Sequence, residues 1–89
     1  MATATVKISN KLGLHARASA KLSKLAGTFR SEVSLARNGR RVNAKSIMGV
    51  MMLAAGLGVT VEVETQGDRE QEALDAIVAL MNDKFGEGE

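Results

Sequence analysis

The chain has 89 residues, the length of one domain, and contains no cysteine, which excludes disulfides and cysteine-based zinc sites. Its net charge of +2 conceals a division, because residues 1–58 hold ten of the 12 Lys and Arg and residues 59–89 hold nine of the 10 acids. This division favours an anionic ligand or an acidic protein partner for the positive part. No apolar run reaches the ~20 residues that span a bilayer, and the N-terminus lacks a signal-peptide core, so we expect a soluble cytoplasmic protein without direct membrane binding.

The N-terminal part of the chain predicts a strand followed by a helix. Residues 4–8 alternate between apolar and polar side chains, as a half-buried strand does. After a glycine turn in residues 10–15, the apolar residues from Ala16 onward are spaced four, three and four apart. That spacing predicts one buried face of a helix, with Gly27 as its stop.

The middle of the chain predicts a β-hairpin and a short helix. Strands at residues 32–36 and 40–43 flank Asn38-Gly39, a pair that tolerates the positive φ angles of a two-residue turn. Ser46 suits the N-cap of the helix that follows. The expected buried stripe of this helix consists of Ile47, Val50, Met51 and Ala54.

The last third of the chain predicts one more strand and a long helix. Residues 59–64 alternate valine with polar residues, which is the clearest strand pattern of the sequence. Asp68 and Gln71 resemble a capping box at the start of the last helix. The apolar stripe of that helix consists of Leu74, Ile77, Val78, Met81 and Phe85. We expect residues 86–89 to be a disordered tail on a single domain formed by residues 1–89.

The resulting order of elements is β-α-β-β-α-β-α. Strands with one polar face suit an antiparallel sheet that is open to solvent on one side, and helices would cover the other side. The sequence therefore predicts an α+β fold of two layers.

The stretch KLGLHARAS, residues 11–19, contains the only histidine of the chain. A helix that begins at Ala16 or Arg17 places His15 at its N-cap, next to backbone N–H groups that have no partner within the helix. These amides, the helix dipole and the forked donors of Arg17 together favour a bound anion. Because imidazole is a nucleophile near neutral pH, the combination suits a phosphoryl group that is held on nitrogen and passed on.

The spacing alone leaves other interpretations of His15 open. A lone histidine in a turn is more often a capping or surface residue. Metal binding is not expected, because the chain has no second histidine, no cysteine and no acid near the turn. A hydrolytic triad would have to take its acid from a distant part of the sequence.

An RNA-binding function is a further alternative. The β-α-β-β-α-β order resembles that of RNA-recognition domains, and the first part of the chain is basic. Those domains stack bases on aromatic residues of the sheet. The only aromatic residues here are Phe29 and Phe85, and neither is predicted on a strand. We therefore expect no nucleic-acid partner.

Two motifs carry a resemblance to a known family. GLHAR, residues 13–17, follows the first strand, and KSIMGVMMLAAGLG occupies residues 45–58. With this spacing, residues 4–85 resemble the HPr family, the histidine-containing phosphocarriers of the bacterial phosphoenolpyruvate-dependent phosphotransferase system. The resemblance implies an open-faced β-sandwich, in which three helices cover one face of a four-stranded antiparallel sheet.

The resemblance also implies roles for the residues around the histidine. His15 would carry the phosphoryl group on Nδ1, Arg17 would assist its transfer, and the backbone amide of Ala16 would stabilise the phosphoryl oxygens. Enzyme I would load His15 from phosphoenolpyruvate, and EIIA-type proteins would receive the group. The protein would then be a stoichiometric intermediate rather than an enzyme, without a cofactor, and we expect it to be a monomer.

A second set of residues would regulate and dock the carrier. Ser46 matches the family's regulatory site, which an ATP-dependent HPr kinase/phosphorylase modifies; the alternative is that Ser46 is only an N-cap. Exposed methionines suit a surface that meets several partners, whereas we expect Met52 and Leu53 to fill the core. The expected partner-binding residues are Lys24, Lys45, Ile47, Met48 and Met51.

Two positions depart from the family pattern. Many members have proline where this chain has Ala18, which affects only local stiffness because alanine suits a first helical turn. Many sugar-branch members have a small polar residue where this chain has Leu12, and NKLGLHAR also resembles the nitrogen-branch paralogue, NPr. The alternative function is therefore a mainly regulatory nitrogen-branch carrier, although the Ser46 motif favours HPr proper.

Overall fold

A computed structural model describes residues 1–87 and contains the expected order of strands and helices. The strands are β1 (Ala2–Lys7), β2 (Glu32–Arg37), β3 (Arg40–Asn43) and β4 (Thr60–Gln66). The helices are α1 (Ala16–Gly27), α2 (Ile47–Met52) and α3 (Glu70–Asn82), and a 3-10 turn, Lys84–Gly86, follows. The predicted α+β fold is confirmed.

The four strands form one antiparallel sheet in the order β1-β4-β2-β3. Val63 of β4 pairs with Ala4 on one side and Leu35 on the other, so apolar residues of three strands lie in one row. Val63 and Leu35 are fully buried, whereas Glu62 between the inward residues of β4 is exposed. Since α3 packs on β1 and β4 and α1 packs on the other two helices, one face of the sheet is covered and the other is open.

The β2–β3 hairpin holds the end of α2. Its Asn38-Gly39 turn is confirmed, with φ angles of 51° and 79°. Nη1 of Arg37 donates to the carbonyl of Leu53 at 2.8 Å, and Nη1 of Arg40 donates to another carbonyl at the same helix end at 2.8 Å. Because the last carbonyls of a helix have no partner within it, these arginines stabilise α2 and set its position.

The buried stripe predicted for α2 is wrong for all its members except Val50. The exposed members are Ile47, Met51 and Ala54. Met52, expected in the core, is 60% exposed, whereas Leu53 is buried as expected. A helix of 6 residues completes fewer than two turns, so Val50 alone faces the core and the remaining side of the helix stays open.

The capping box predicted for α3 is wrong. Its N-cap is Arg69, which has a φ of 56° and caps no backbone group with its side chain. The Glu70 carboxylate instead accepts from the backbone N–H of Gly67 at 3.1 Å. This hydrogen bond joins Gly67 and Glu70, each of which lies one residue before the corresponding member of the predicted pair, Asp68 and Gln71.

The last helix is shorter than its apolar stripe predicts. α3 ends at Asn82, and Phe85 lies in the 3-10 turn, where it is still only 1% exposed. Nζ of Lys21 donates to the Phe85 carbonyl at 2.7 Å and ties this segment to α1. For Gly86 and Glu87 the structure thus differs from the expected disordered tail; residues 88 and 89 of that tail lie outside the described residues.

Candidate anion site at the start of helix α1

A tight turn after β1 brings His15 to the start of α1. Gly13 has a φ of 64°, and a Cβ at this position would lie only 2.5 Å from the carbonyl oxygen of Ala55. The backbone N–H of Leu14 donates to the same carbonyl at 2.9 Å. Only glycine permits both the dihedral angle and this approach to the loop after α2.

Two buried polar side chains hold the turn from inside. Nδ2 of Asn10 donates to the carbonyl of Gly13 at 2.8 Å, and the hydroxyl of Ser19 donates to the carbonyl of Leu14 at 3.1 Å. Asn10 and Ser19 are both fully buried, so water does not compete for these hydrogen bonds. The backbone that leads into His15 is therefore well anchored.

His15 is the N-cap of α1, as predicted, with φ of −74° and ψ of 178°. Its carbonyl accepts the hydrogen bond of the Ser19 N–H at 2.8 Å. Within residues 1–87, the N–H groups of Ala16 and Arg17 have no hydrogen-bond partner, and no acid occupies the first turn. The helix therefore presents unpaired donors and the positive end of its dipole beside the imidazole.

The imidazole of His15 borders an open depression of about 800 Å³. Its lining residues are Lys11, Leu12, His15, Ala16, Arg17, Lys21, Gly86 and Glu87. The side chain of Arg17 is exposed and forms no ion pair within the described part of the chain. Because three of the lining side chains are cationic, the depression favours anions.

Glu87 is a site residue that the sequence did not predict. Its Oε2 contacts Nε2 of His15, and its Oε1 accepts from Nδ2 of Asn10 at 3.1 Å. Burial raises the pKa of the Glu87 carboxyl, but the hydrogen bonds from Asn10 and His15 and the charge of Lys21 outweigh burial and hold the pKa below its ordinary value. Glu87 lies 72 residues from His15 in the chain, in a glycine- and acid-rich end that carries no motif, so no local signal predicts the contact.

Ser46 lies at the N-terminus of α2, outside the depression. Its hydroxyl oxygen accepts from the backbone N–H of Gly49 at 3.0 Å, which confirms the predicted N-cap. A Cβ at Gly49 would lie 3.3 Å from this oxygen, so the glycine leaves room for the cap. Since α2 packs against α1, Ser46 belongs to the helix next to the one that carries His15.

The expected partner-binding residues are exposed, but none of them lines the depression. Ile47, Met48 and Met51 present apolar surface on α2, with Met48 68% exposed. Lys24 is exposed near the end of α1. Nζ of Lys45 donates to the carbonyl of Phe29 at 2.9 Å, so this ammonium is already engaged by the chain.

The described residues also bear on the other function classes considered. Among residues 1–87, no three His, Cys, Asp or Glu side chains come together as metal ligands would. In the same range, no helix combines the length and apolar character needed to cross a membrane. Neither Phe29 nor Phe85 lies on a strand, so the open face of the sheet lacks the aromatic residues on which RNA-recognition domains stack bases.

The chain is similar to known proteins over almost its whole length. Residues 2–83 match the family described as the PTS HPr component phosphorylation site. Phosphocarrier protein HPr of Cupriavidus necator is 70% identical over 82 residues, which cover 92% of each chain. Among solved structures, HPr of Thermoanaerobacter tengcongensis matches with a TM-score of 0.94 and 44% identity, over 98% of both chains. An HPr dimer from the same organism matches with a TM-score of 0.78 and 44% identity, over 98% of this chain and 100% of that one. The chain therefore belongs to the HPr family of phosphocarriers of the phosphotransferase system.

Proposed function

We propose that the protein accepts a phosphoryl group on Nδ1 of His15 from phosphorylated enzyme I and passes it to EIIA-type proteins. The observation that carries the proposal is the position of the imidazole, beside two unpaired backbone amides and the exposed guanidinium of Arg17 at the start of α1. A nucleophile and donors for phosphoryl oxygens thus lie at one open depression that large partner proteins can reach.

The chemistry requires a nitrogen nucleophile and stabilisation of the moving charge. The Nδ1 lone pair forms the new N–P bond while the bond from phosphorus to the donor breaks, and the donor keeps that electron pair. Arg17 and the amide of Ala16 stabilise the equatorial oxygens during this step. Because the phosphoryl group only moves on to a second protein, the protein acts as a stoichiometric intermediate and not as an enzyme.

The docking surface consists of Ile47, Met48 and Met51 on α2 with Lys24 and Lys45 around them. Apolar side chains that are exposed on a helix beside the site support transient binding of several partners. The surrounding positive charge suits acidic partner surfaces and fast encounters. We expect a monomer that binds each partner in turn, which sedimentation velocity with and without enzyme I would check.

Incubation with enzyme I and phosphoenolpyruvate tests the transfer itself. We expect an acid-labile, base-stable phosphate on the protein and none on His15→Ala. Arg17→Gln should slow the transfer, whereas Arg30→Gln, which removes an exposed positive charge outside the depression, should leave the rate unchanged. Full phosphorylation of His15→Ala would refute the function.

Ser46 is proposed as a second, regulatory phosphorylation site for an HPr kinase/phosphorylase. A phosphate at the start of α2 is compatible with the helix dipole, so it would change the docking surface more than the fold. Incubation with the kinase and ATP should modify the protein but not Ser46→Ala. Weaker binding of enzyme I to the modified protein would support regulation, and unchanged binding would mean that a phosphate at Ser46 does not control transfer from enzyme I. No modification by the kinase would leave Ser46 as an N-cap alone.

The nitrogen-branch alternative differs in the acceptor. Leu12 is 69% exposed in the wall of the depression, where many sugar-branch members have a small polar residue. The name Phosphocarrier protein HPr on the relative from Cupriavidus necator supports HPr proper. Competition between sugar-branch and nitrogen-branch EIIA proteins for the phosphorylated carrier decides between the two, since the preferred acceptor takes the phosphate first.

A further inference from the structure

We propose that Glu87 is a positioning residue for His15, whose carboxylate keeps the ring proton on Nε2 and leaves the Nδ1 lone pair for the phosphoryl group. The proposal rests on the proposed phosphocarrier function. It is carried by the contact between Oε2 of Glu87 and Nε2 of His15, which joins the C-terminal end of the described chain to the start of α1.

The carboxylate is held from both sides. Its other oxygen, Oε1, accepts from Nδ2 of Asn10 at 3.1 Å, and the same Nδ2 donates to the carbonyl of Gly13 at 2.8 Å. Asn10 is fully buried, while the side chains of Glu87 and His15 are only 16% and 26% exposed. One buried amide therefore fixes the turn before His15 and the carboxylate that faces the ring.

The backbone before Glu87 is bent to make this contact. Lys84 and Phe85 both have a φ of 56°, a left-handed conformation that is unfavourable for residues with a side chain. Such a conformation persists only where other contacts over-determine it. Here the buried ring of Phe85 and the hydrogen bond from Lys21 to the Phe85 carbonyl supply those contacts. The segment that places Glu87 beside His15 is therefore well structured.

The chemistry of the two groups determines which nitrogen of the ring carries the proton. A neutral imidazole carries its proton on one ring nitrogen and a lone pair on the other, and an ionised carboxylate can only accept a hydrogen bond. Facing Nε2, Glu87 favours the proton there. As Nδ1 forms the N–P bond and the ring becomes cationic, the Nε2 proton stays in place and the carboxylate stabilises the charge, as the aspartate of a Ser-His-Asp triad does.

The state of the ring can be measured before any phosphate transfer. Long-range ¹H–¹⁵N correlation spectra of the unphosphorylated protein, recorded where the imidazole is neutral, separate the Nε2–H tautomer from the Nδ1–H tautomer. We expect mainly Nε2–H in the unaltered protein, and a ratio of Nδ1–H to Nε2–H that rises ~fivefold in Glu87→Ala, the scale of one net hydrogen bond. Asp83→Asn is the matched control, because this nearby exposed acid makes no side-chain hydrogen bond or ion pair within residues 1–87.

Single-turnover transfer from phosphorylated enzyme I is the second readout. We expect Glu87→Ala to slow transfer about tenfold, the scale of one hydrogen bond to a charged group. Glu87→Gln, which keeps an acceptor but loses the charge, should be intermediate, and Asp83→Asn should match the unaltered protein. An unchanged tautomer ratio in Glu87→Ala, or faster transfer, would overturn the proposal, since the carboxylate would then be a structural contact or an obstacle. If the unaltered protein takes up no phosphate, the proposed phosphocarrier function is wrong. The tautomer ratio still shows whether Glu87 keeps the ring proton on Nε2 of His15.

Discussion

Gly13→Ala tests whether the turn before His15 depends on close approach to the loop after α2. At a φ of 64°, a side chain strains the backbone by roughly 1–2 kcal/mol. The new Cβ would also lie 2.5 Å from the carbonyl oxygen of Ala55 and 2.6 Å from Cα of Gly56, both of which are backbone atoms that cannot rotate away. Overpacking of this kind costs about 1–3 kcal/mol, so we expect a total loss of about 2–5 kcal/mol in the free energy of unfolding.

Gly39→Ala is the matched control for this experiment. Its φ is 79°, but nothing lies within 4 Å of an added Cβ, so only the strain of roughly 1–2 kcal/mol applies. Urea unfolding followed by far-UV circular dichroism suits both variants, because the chain has no Trp or Tyr to serve as a fluorescent probe. Equal losses in the two variants would refute the argument that the approach to Ala55 restricts position 13 to glycine.

Three further perturbations test other parts of the structure. Ser46→Ala removes the acceptor of the Gly49 N–H and should lower the free energy of unfolding by about 1 kcal/mol in urea; an unchanged midpoint would mean that water replaces the cap. Phe85→Ala empties a buried site and should cost about 3–5 kcal/mol, whereas a loss below ~1 kcal/mol would contradict docking of the segment after α3. Because the folded pKa of Glu87 lies below its ordinary value of 4.5, its contribution to stability is complete above that value and is lost as the pH falls through the folded pKa. Urea melts from pH 6 to pH 3 should show this loss in the unaltered protein and less of it in Glu87→Gln, and identical profiles would argue against the contact.

Sequence patterns correctly predicted the elements whose conformation depends on residues that are close together in the chain. Residues 59–64 alternate because β4 has one covered and one open face, and the turn at Asn38-Gly39 follows from the few residues that accept positive φ. The same kind of pattern failed on α2. Periodicity shows which residues share a face, but it does not show how much of a short helix the neighbouring elements cover, and here Met52 and Met51 stay exposed.

The candidate site was predictable only where it follows from the chain around His15. The N-cap position and the unpaired amides depend on where α1 begins, which the spacing from Ala16 indicates. Glu87 depends instead on where α3 ends and on the positive φ of Lys84 and Phe85, neither of which is a glycine. That bend is stabilised by contacts with distant elements, so its direction is set by the tertiary structure and not by the local sequence.

The contact of Glu87 with His15 also bears on how charge is divided along the chain, in which residues 1–58 are mainly basic and residues 59–89 mainly acidic. The acidic part of the sequence does not merely oppose the basic part, because one of its carboxylates lies in the same depression as Lys11, Arg17 and Lys21. This carboxylate faces Nε2 of His15, so a phosphoryl group on Nδ1 would be bound to the other nitrogen of the ring. Opposite charges would then act on the two nitrogens of one imidazole, the carboxylate on the nitrogen that keeps its proton and the cationic donors on the group carried by the other. A depression that contained cations alone would attract phosphate more strongly, because no carboxylate would repel it, but it would give the ring no preference for which nitrogen receives the phosphoryl group.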